Sequence, residues 1–350
     1  MLPALQSVDS LVVRCPNWVG DIVMATPVFH CLRQNFPHAT ITALVRPYAK
    51  GILEDSPWFN FVVDCEDKNL KGIKAIRRAF ATINPQIGLL LPNTTHSFIT
   101  FKLAGVPQIF GYRRNIRKYF LRGPNPIKEG GRYKPMPMQD YYLELCKFLE
   151  LELPDYPKPT LHISDLTQKK ANTRLNNYGI QPDDLVVGLN PGASFGSSKC
   201  WPPEHFSALA ELLYKNHQCK ILLLAGPGEE SIATKIVESC SIDIINTAQD
   251  QIDLAELKPL VKRCNLLVTN DTGPRHYAVA LNVPHIVLMG PTNPIYTEKN
   301  QQNSVVLQKN LACVPCHKKI CPLGHHACMR ELTPDDVFAA CSSKIPKAIQ

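Results

Sequence analysis

Short apolar strands alternate with helices along this chain, and the alternation starts afresh near its middle. In the first half, Leu11–Cys15 reads as a buried strand, followed by a Pro/Asn/Gly loop and a helix from Asp21 to Asn35. Thr40–Val45 and Phe61–Asp64 read as further strands, Lys71–Ile83 as a basic amphipathic helix, and Ile87–Leu91 as a strand ending in Pro92-Asn93. Leu185–Leu189 restarts the pattern. The Gly/Ser-rich loop Pro191–Lys199 leads into a helix over Pro203–Asn216; strands follow at Lys220–Ala225, Asn265–Thr269 and, as the last clear one, His285–Met289. Strands joined through helices make parallel sheets with right-handed crossovers. The expected fold class is therefore α/β, with two doubly wound domains. Leu153–Pro159 carries Pro154, Pro157 and Pro159. That places the boundary there, with domains over residues 1–158 and 159–350 and a connecting helix around Leu166–Tyr178. Two such domains imply a cleft, and in such sheets ligands bind at the carboxyl ends of strands.

Composition narrows the class. A chain of 350 residues suits two domains, and 45% apolar residues suffice for their cores. No run approaches the length of a membrane span. Met1–Ser10 has neither the basic region nor the apolar run of an export signal, so the 13 cysteines are expected in a reducing compartment. The net charge is +8, and its placement matters more than its size. Residues 1–160 hold 20 Lys and Arg against 13 Asp and Glu; residues 161–350 hold 18 against 17. Lys102–Lys134 alone has nine basic residues and one acidic, Glu129. Such a stretch is either a solvated face or a surface for an anionic partner.

Four loops stand at strand ends. Pro16–Asp21 follows the first strand, with Gly20 for the turn and Asp21 at or near the helix N-cap. Asp21 is there either as a cap or as a general base at the carboxyl edge of the sheet. Asn270–His276 crowds Asp271, Thr272, Gly273 and His276 onto a helix start, which is either a Pro-started cap or an anion site made of backbone N–H groups. Pro191–Pro202 closes on Lys199, a point charge for a diphosphate, without being a P-loop. Gly226–Glu230 offers Glu229 and Glu230 either to ribose hydroxyls or simply to a helix start. No G-x-G-x-x-G follows a strand, which argues against a dinucleotide oxidoreductase.

In order and spacing these segments resemble the bacterial lipopolysaccharide heptosyltransferases of glycosyltransferase family 9, heptosyltransferase II type, over residues 10–340. Asn17-Trp18-Val19-Gly20-Asp21, Leu91-Pro92-Asn93 and Met138–Tyr142 carry the likeness in the first half. Pro191-Gly192-Ala193, Lys199 with Trp201-Pro202, and Thr269–Gly273 with His276 carry it in the second. The resemblance implies a GT-B fold, two Rossmann-like domains facing across a cleft, and inverting transfer from ADP-heptose to a heptosyl-Kdo-lipid A type acceptor. It implies Asp21 as the base. Ser194, Lys199, Glu229 or Glu230, Asp271, Thr272, Gly273 and His276 would take the donor. Asn17, Trp18, Asn93, Arg113, Arg114 and Arg117 would face the acceptor. His96, Pro274 and Arg275 depart from the family pattern. The implied partners are ADP-heptose, an anionic lipopolysaccharide core and the inner-membrane surface, met from the cytoplasm, with no nucleic acid. No cofactor is required by this chemistry, and no D-x-D motif is apparent.

Two rivals remain. One is another GT-B enzyme using a different sugar nucleotide. The other is a nucleic-acid-binding protein, since Tyr112, Tyr119, Phe120 and Tyr133 interleave with the basic residues. Cys313, Cys316, Cys321 and Cys328, with three histidines between them, are a structural zinc site, an iron–sulfur site, reduced thiols or an adventitious disulfide.

Overall fold

The computed structural model describes residue 5 and residues 7–67 and 69–345. Part of the export-signal reading, at residues 1–4 and 6, lies outside the described residues. The chain forms two compact units, Met1–His162 with Ile295–Lys299, and Ile163–Pro294 with Asn300–Gln350.

In unit 1, β1 (Ser10–Arg14), β2 (Thr40–Val45), β3 (Phe61–Asp64), β4 (Ile87–Leu90) and β5 (Gln108–Gly111) form one parallel sheet in the order β3-β2-β1-β4-β5. Leu11 stands between Ile41 and Ile87, so β1 is central. Its residues Leu11–Arg14 are buried, as a strand covered on both faces requires. The helices are α1 (Val19–Met24), α2 (Thr26–Asn35), α3 (Lys50–Leu53), α4 (Leu70–Ile83), α5 (Thr95–Leu103) and α6 (Met138–Phe148). A two-stranded ribbon, β6 (Lys128–Glu129) with β7 (Arg132–Tyr133), stands apart.

The helix expected over Asp21–Asn35 is two helices that meet at Ala25. Pro27 is the cause. It has no N–H to give to the carbonyl of Val23, and the Thr26 hydroxyl donates to that carbonyl instead, at 2.8 Å. Trp18 is the N-cap of α1, with no side-chain cap bond, and Asp21 lies in its first turn. Asp21 is therefore not the cap that its position implied.

In unit 2 a connecting helix α7 (Asp165–Asn177) precedes β8 (Val186–Asn190), α8 (Pro203–His217), β9 (Lys220–Leu223), α9 (Glu230–Glu238), β10 (Ile245–Asn246), α10 (Leu257–Arg263), β11 (Leu266–Asn270), α11 (Gly273–Ala280), β12 (His285–Leu288), β13 (Ser304–Leu307), α12 (Ala327–Arg330) and α13 (Pro334–Ser342). The sheet runs β10-β9-β8-β11-β12-β13, all parallel. The sequence reading ended at β12 and missed β13. That strand is an edge of four half-buried residues, too short to show a period. The core around β8 and β11 takes in Trp201, Phe206, Leu209 and, from the C-terminal segment, Cys328, Met329, Val337 and Cys341.

Both sheets reverse strand order at their middle, between β1 and β4 and between β8 and β11. A loop that follows either strand of such a pair opens at a crevice in the carboxyl edge. These loops begin at Cys15 and Leu91 in unit 1 and at Pro191 and Asp271 in unit 2.

Candidate active site

In unit 1 the loop after β1 is held from beneath. Arg14, buried, donates from Nη2 to Asn17 Oδ1 at 2.7 Å and from Nη1 to the Cys15 carbonyl at 2.6 Å. Arg46 donates to the same Asn17 oxygen at 3.3 Å and pairs with the buried Asp67 at 2.7 Å. The Tyr48 hydroxyl donates to the Asn17 carbonyl. With its side-chain oxygen taken by two guanidinium groups, Asn17 fixes the loop that leads to Asp21, while Trp18 stands half exposed. The buried Tyr142 of α6 hydrogen-bonds Asp21, and burial together with the Asp21 charge pushes that phenol well above its ordinary pKa. Tyr142 therefore stays protonated and donates, which orients the carboxylate.

The loop after β4 carries Asn93. Its Oδ1 accepts from Arg117 Nη2 and from the Tyr141 hydroxyl, each at 3.0 Å. Arg117 is a correction to the sequence reading, which set it on the basic surface beside Arg113 and Arg114. It is buried, and it also donates to the carbonyls of Pro92, Thr94 and Tyr112 at 2.8, 3.3 and 3.0 Å. Burial pulls its pKa down to about 10. Its spacing in a basic run disguised a strut. Arg113 is exposed, and Arg114 lies over the Tyr133 ring at 3.8 Å.

In unit 2 the central group is the Asp271 carboxylate. Lys199 Nζ lies 2.7 Å from its Oδ2 and 2.8 Å from its carbonyl. Arg275 Nη1 lies 2.8 Å from Oδ1, and the Thr292 hydroxyl donates to Oδ2 at 2.5 Å. Burial opposes the charge of Asp271, but Arg275 and then Lys199 overcome it and hold the carboxyl well below the usual carboxylate range. Two cations thus converge on one carboxylate. Beside it α11 begins. Its N-cap Thr272 is extended, and its side chain makes no cap bond, so the first N–H groups of the helix, at Gly273 and beyond, are not capped by it. His276, in the same turn, is buried. Burial and the Arg275 charge pull its pKa to about 3, which makes it a neutral hydrogen-bonding group.

Ser194 is exposed at the tip of the loop after β8. Glu229 and Glu230 part company. Glu229 is the N-cap residue of α9, accepts from the Gly226 N–H at 2.8 Å and packs on the same loop: a Cβ at Gly192 would stand 1.7 Å from Glu229 Oε1. Only glycine permits that approach. Glu230 is half-buried and accepts from the Gly228 N–H at 3.1 Å.

Among the described residues no group of three or more His, Cys, Asp or Glu side chains is arranged to hold a metal ion. Cys328 is packed into the apolar core of unit 2, where burial, and then the nearby Cys321, Cys313 and Cys316, push its thiol to about 11. The Cys321 thiol lies toward the surface, and the backbone N–H of His326, then those of Leu323, Gly324 and His325, bring its pKa down.

The family model for glycosyltransferase family 9 (heptosyltransferase) matches residues 73–327. The chain belongs to glycosyltransferase family 9. The family's lipooligosaccharide heptosyltransferase 2 of Campylobacter jejuni is 24% identical over 330 residues, covering 93% of this chain and 96% of the relative. That of Haemophilus ducreyi is 27% identical over 344 residues, covering 92% and 95%. The solved structure of Escherichia coli ADP-heptose lipopolysaccharide heptosyltransferase II superimposes with a TM-score of 0.77 at 23% identity, over 96% of this chain and 98% of that one. The fold is the GT-B type, with two Rossmann-like sheets, and the protein is a glycosyltransferase. Reasoning from the sequence missed Tyr142, Arg275 and Thr292 as partners of the site. Only Arg275 left a local signal, four residues from Asp271 on one helix start.

Arg117→Glu will unfold or strongly destabilise the protein, by about 3 kcal/mol or more, because it strands the buried carbonyls of Pro92 and Tyr112 and sets a carboxylate against them. Arg113→Glu will leave thermal unfolding nearly unchanged. Calorimetry on both distinguishes a strut from a surface charge. A second expectation concerns acid. The unfolded chain protonates His276 near its ordinary 6.5, whereas the folded imidazole resists until about 3. The unfolded state binds more protons in between, so stability falls as pH drops through that window, by up to about 1.4 kcal/mol per pH unit from this group. His276→Gln will reduce the slope of melting temperature against pH between those values.

Proposed function

We propose that the protein transfers heptose from ADP-heptose, with inversion, to the inner core of lipopolysaccharide, a heptosyl-Kdo-lipid A type acceptor. The observation that carries this is the pairing of chemistries at the two strand-order reversals. Unit 1 presents an oriented carboxylate, and unit 2 presents the Lys199 ammonium beside a helix start. Relatives named heptosyltransferase 2, matched over nine-tenths of both chains, support the donor and the acceptor.

In this reading Asp21 takes the proton of the acceptor hydroxyl as that oxygen attacks the anomeric carbon. Tyr142 keeps the carboxylate aimed, and the first turn of α1 favours its ionised form until the proton arrives. The diphosphate leaves toward Lys199 and the Thr272–Gly273 N–H groups, which meet charge as it develops. Lys199 can share its ammonium with the leaving group because Arg275 still neutralises Asp271. Glu229, set against the loop after β8, is the better placed of the two acidic residues for a ribose hydroxyl. Ser194 and the neutral His276 complete the donor contacts, and Asn93, held by Arg117 and Tyr141, faces the acceptor with Asn17 and Trp18. The chemistry asks for no cofactor.

The basic stretch of unit 1 then meets an anionic glycolipid at the cytoplasmic membrane face. No helix among the described residues is long and apolar enough to cross a membrane. The stretch does expose Ile116, Tyr119, Phe120 and Ile127 among Arg113, Lys118, Arg122 and Lys128, the mixture of apolar and cationic groups that interfacial binding uses. A nucleic-acid partner is less well served. Of the four interleaved aromatics, Tyr112 stacks on Tyr141 at 3.8 Å and Tyr133 lies under Arg114, which leaves only Tyr119 and Phe120 of the four exposed.

Asp21→Asn will lower transfer by about 10²–10⁴-fold, the usual worth of a general base, with ADP affinity little changed. Near-normal turnover, measured as ADP released, would exclude this base. Reversing Arg113, Arg114 and Lys118 to Glu will weaken sedimentation with anionic vesicles and raise the acceptor KM while sparing ADP binding. Vesicle binding insensitive to both salt and these changes would show a solvated face.

A further inference from the structure

The residue before Lys199 is held at every polar handle by a segment more than a hundred residues away. Ser198 is buried; its N–H donates to the Lys319 carbonyl at 3.1 Å and its hydroxyl to the Lys318 carbonyl at 2.5 Å. The Ser198 carbonyl accepts from His326 Nε2 at 3.0 Å. Gly196 packs so closely that a Cβ there would stand 2.3 Å from the Lys319 carbonyl oxygen, and its φ of +152° suits glycine. The same segment reaches the other side of the charge cluster. The His317 N–H donates to the Pro291 carbonyl at 2.9 Å, next to Thr292, which bonds Asp271. Met329 fills the space beside Gly290, where a Cβ would meet its Sδ at 2.7 Å. These contacts lie within unit 2, and they join the two loops that supply Lys199 and Thr292 to one carboxylate.

We propose that the Cys/His-rich segment, residues 313–329, is a clasp that positions the donor loop, with His326 and Ser198 as positioning residues that set where the Lys199 ammonium stands. Cysteine spacing drew attention to this segment as a metal site; its backbone carbonyls and one imidazole do the work assigned here. His326 sits at φ +52°, a conformation uncommon outside glycine, which aims its ring back at Ser198. A loop as rich in Gly and Ser as Pro191–Lys199 has no rigidity of its own, so the order of Lys199 has to come from its neighbours.

The proposal rests on the reading of Lys199 as the cation for the diphosphate, and the test separates the two. Isothermal titration with ADP and with adenosine is run on the wild type, Lys199→Ala, His326→Ala, His326→Gln, Ser198→Ala and the double variant Lys199→Ala/His326→Ala, with melting temperatures alongside. His326→Ala and Ser198→Ala each weaken ADP by about 2–10-fold, the worth of one hydrogen bond, and leave adenosine unchanged. His326→Gln, which keeps an N–H donor, recovers most of the ADP affinity. In the Lys199→Ala background His326→Ala weakens ADP no further, as two residues acting through one contact require. If Lys199→Ala weakens ADP selectively while His326→Ala and Ser198→Ala have no effect, add to it in full, or weaken adenosine equally, the clasp is overturned and the Lys199 reading stands. If Lys199→Ala itself leaves the preference for ADP over adenosine intact, the diphosphate reading falls and the clasp with it. Should His326→Ala fail to fold, Ser198→Ala, which deletes one hydroxyl, carries the comparison.

Discussion

A buried carboxylate with two cations on it organises unit 2. Asp271 is reached by Lys199 from the loop after β8, by Arg275 from α11 and by Thr292 from beyond β12. Removing the carboxylate would leave Lys199 and Arg275 without it in a place largely closed to water, which costs far more than the cluster contributes over an apolar substitute. The cluster therefore acts as a registry pin. It fixes three connections at one edge of the sheet in a single arrangement, and the anion-receptive helix start is a by-product of where that arrangement leaves α11.

Unit 1 holds its loops mainly with guanidinium donors, two of which, Arg14 and Arg46, also share the buried carboxylate of Asp67. Arg117 collects the carbonyls of Pro92, Thr94 and Tyr112 and then Asn93, while Arg14 and Arg46 collect Asn17. Guanidinium suits this because its fork of N–H groups satisfies several loop carbonyls that no strand or helix pairs. Each asparagine is left with its oxygen spent on the protein and its amide to offer. The loops after β1 and β4 are in consequence firmly tied to the strands that feed them, as the proposed role of Asp21 as base requires.

The doubly wound fold was legible because it is written in period and length: apolar runs of four to six residues, each followed by loop residues and a helix, leave few topologies. The strand-end loops were legible for the same reason, since the chemistry must sit where those strands stop. The second layer was hidden. Tyr142 reaches Asp21 across more than a hundred residues, and nothing near either residue announces it. Arg117 looked like its neighbours Arg113 and Lys118 because a sequence records charge and not burial. Pro27 did carry a local signal, and the break it makes between α1 and α2 could have been read from it. The four cysteines are near enough to act on one another's titration, with Cys328 against the core and Cys321 toward the surface.

Burial also changes what the charge count means. The excess of basic residues in the first half includes Arg14 and Arg117, both inside the protein, and Arg14 is offset by Asp67 at 3.6 Å. Those charges do little at long range, because their fields are spent on nearby carbonyls and one carboxylate. What remains for an anionic partner is the set at the surface: Lys102, Arg113, Lys118, Arg122, Lys128 and Arg132, with Lys134 drawn to Glu129 at 2.7 Å. These residues share their stretch with exposed Ile116, Tyr119, Phe120 and Ile127. A purely electrostatic steering surface would gain nothing from exposed apolar side chains, and a purely apolar docking face would not be ringed with cations. A surface that carries both is matched to a partner that carries both, with anionic groups above a hydrocarbon layer. A glycolipid acceptor in its own membrane has that structure, and on the proposed function these same residues would serve substrate recognition and membrane contact together.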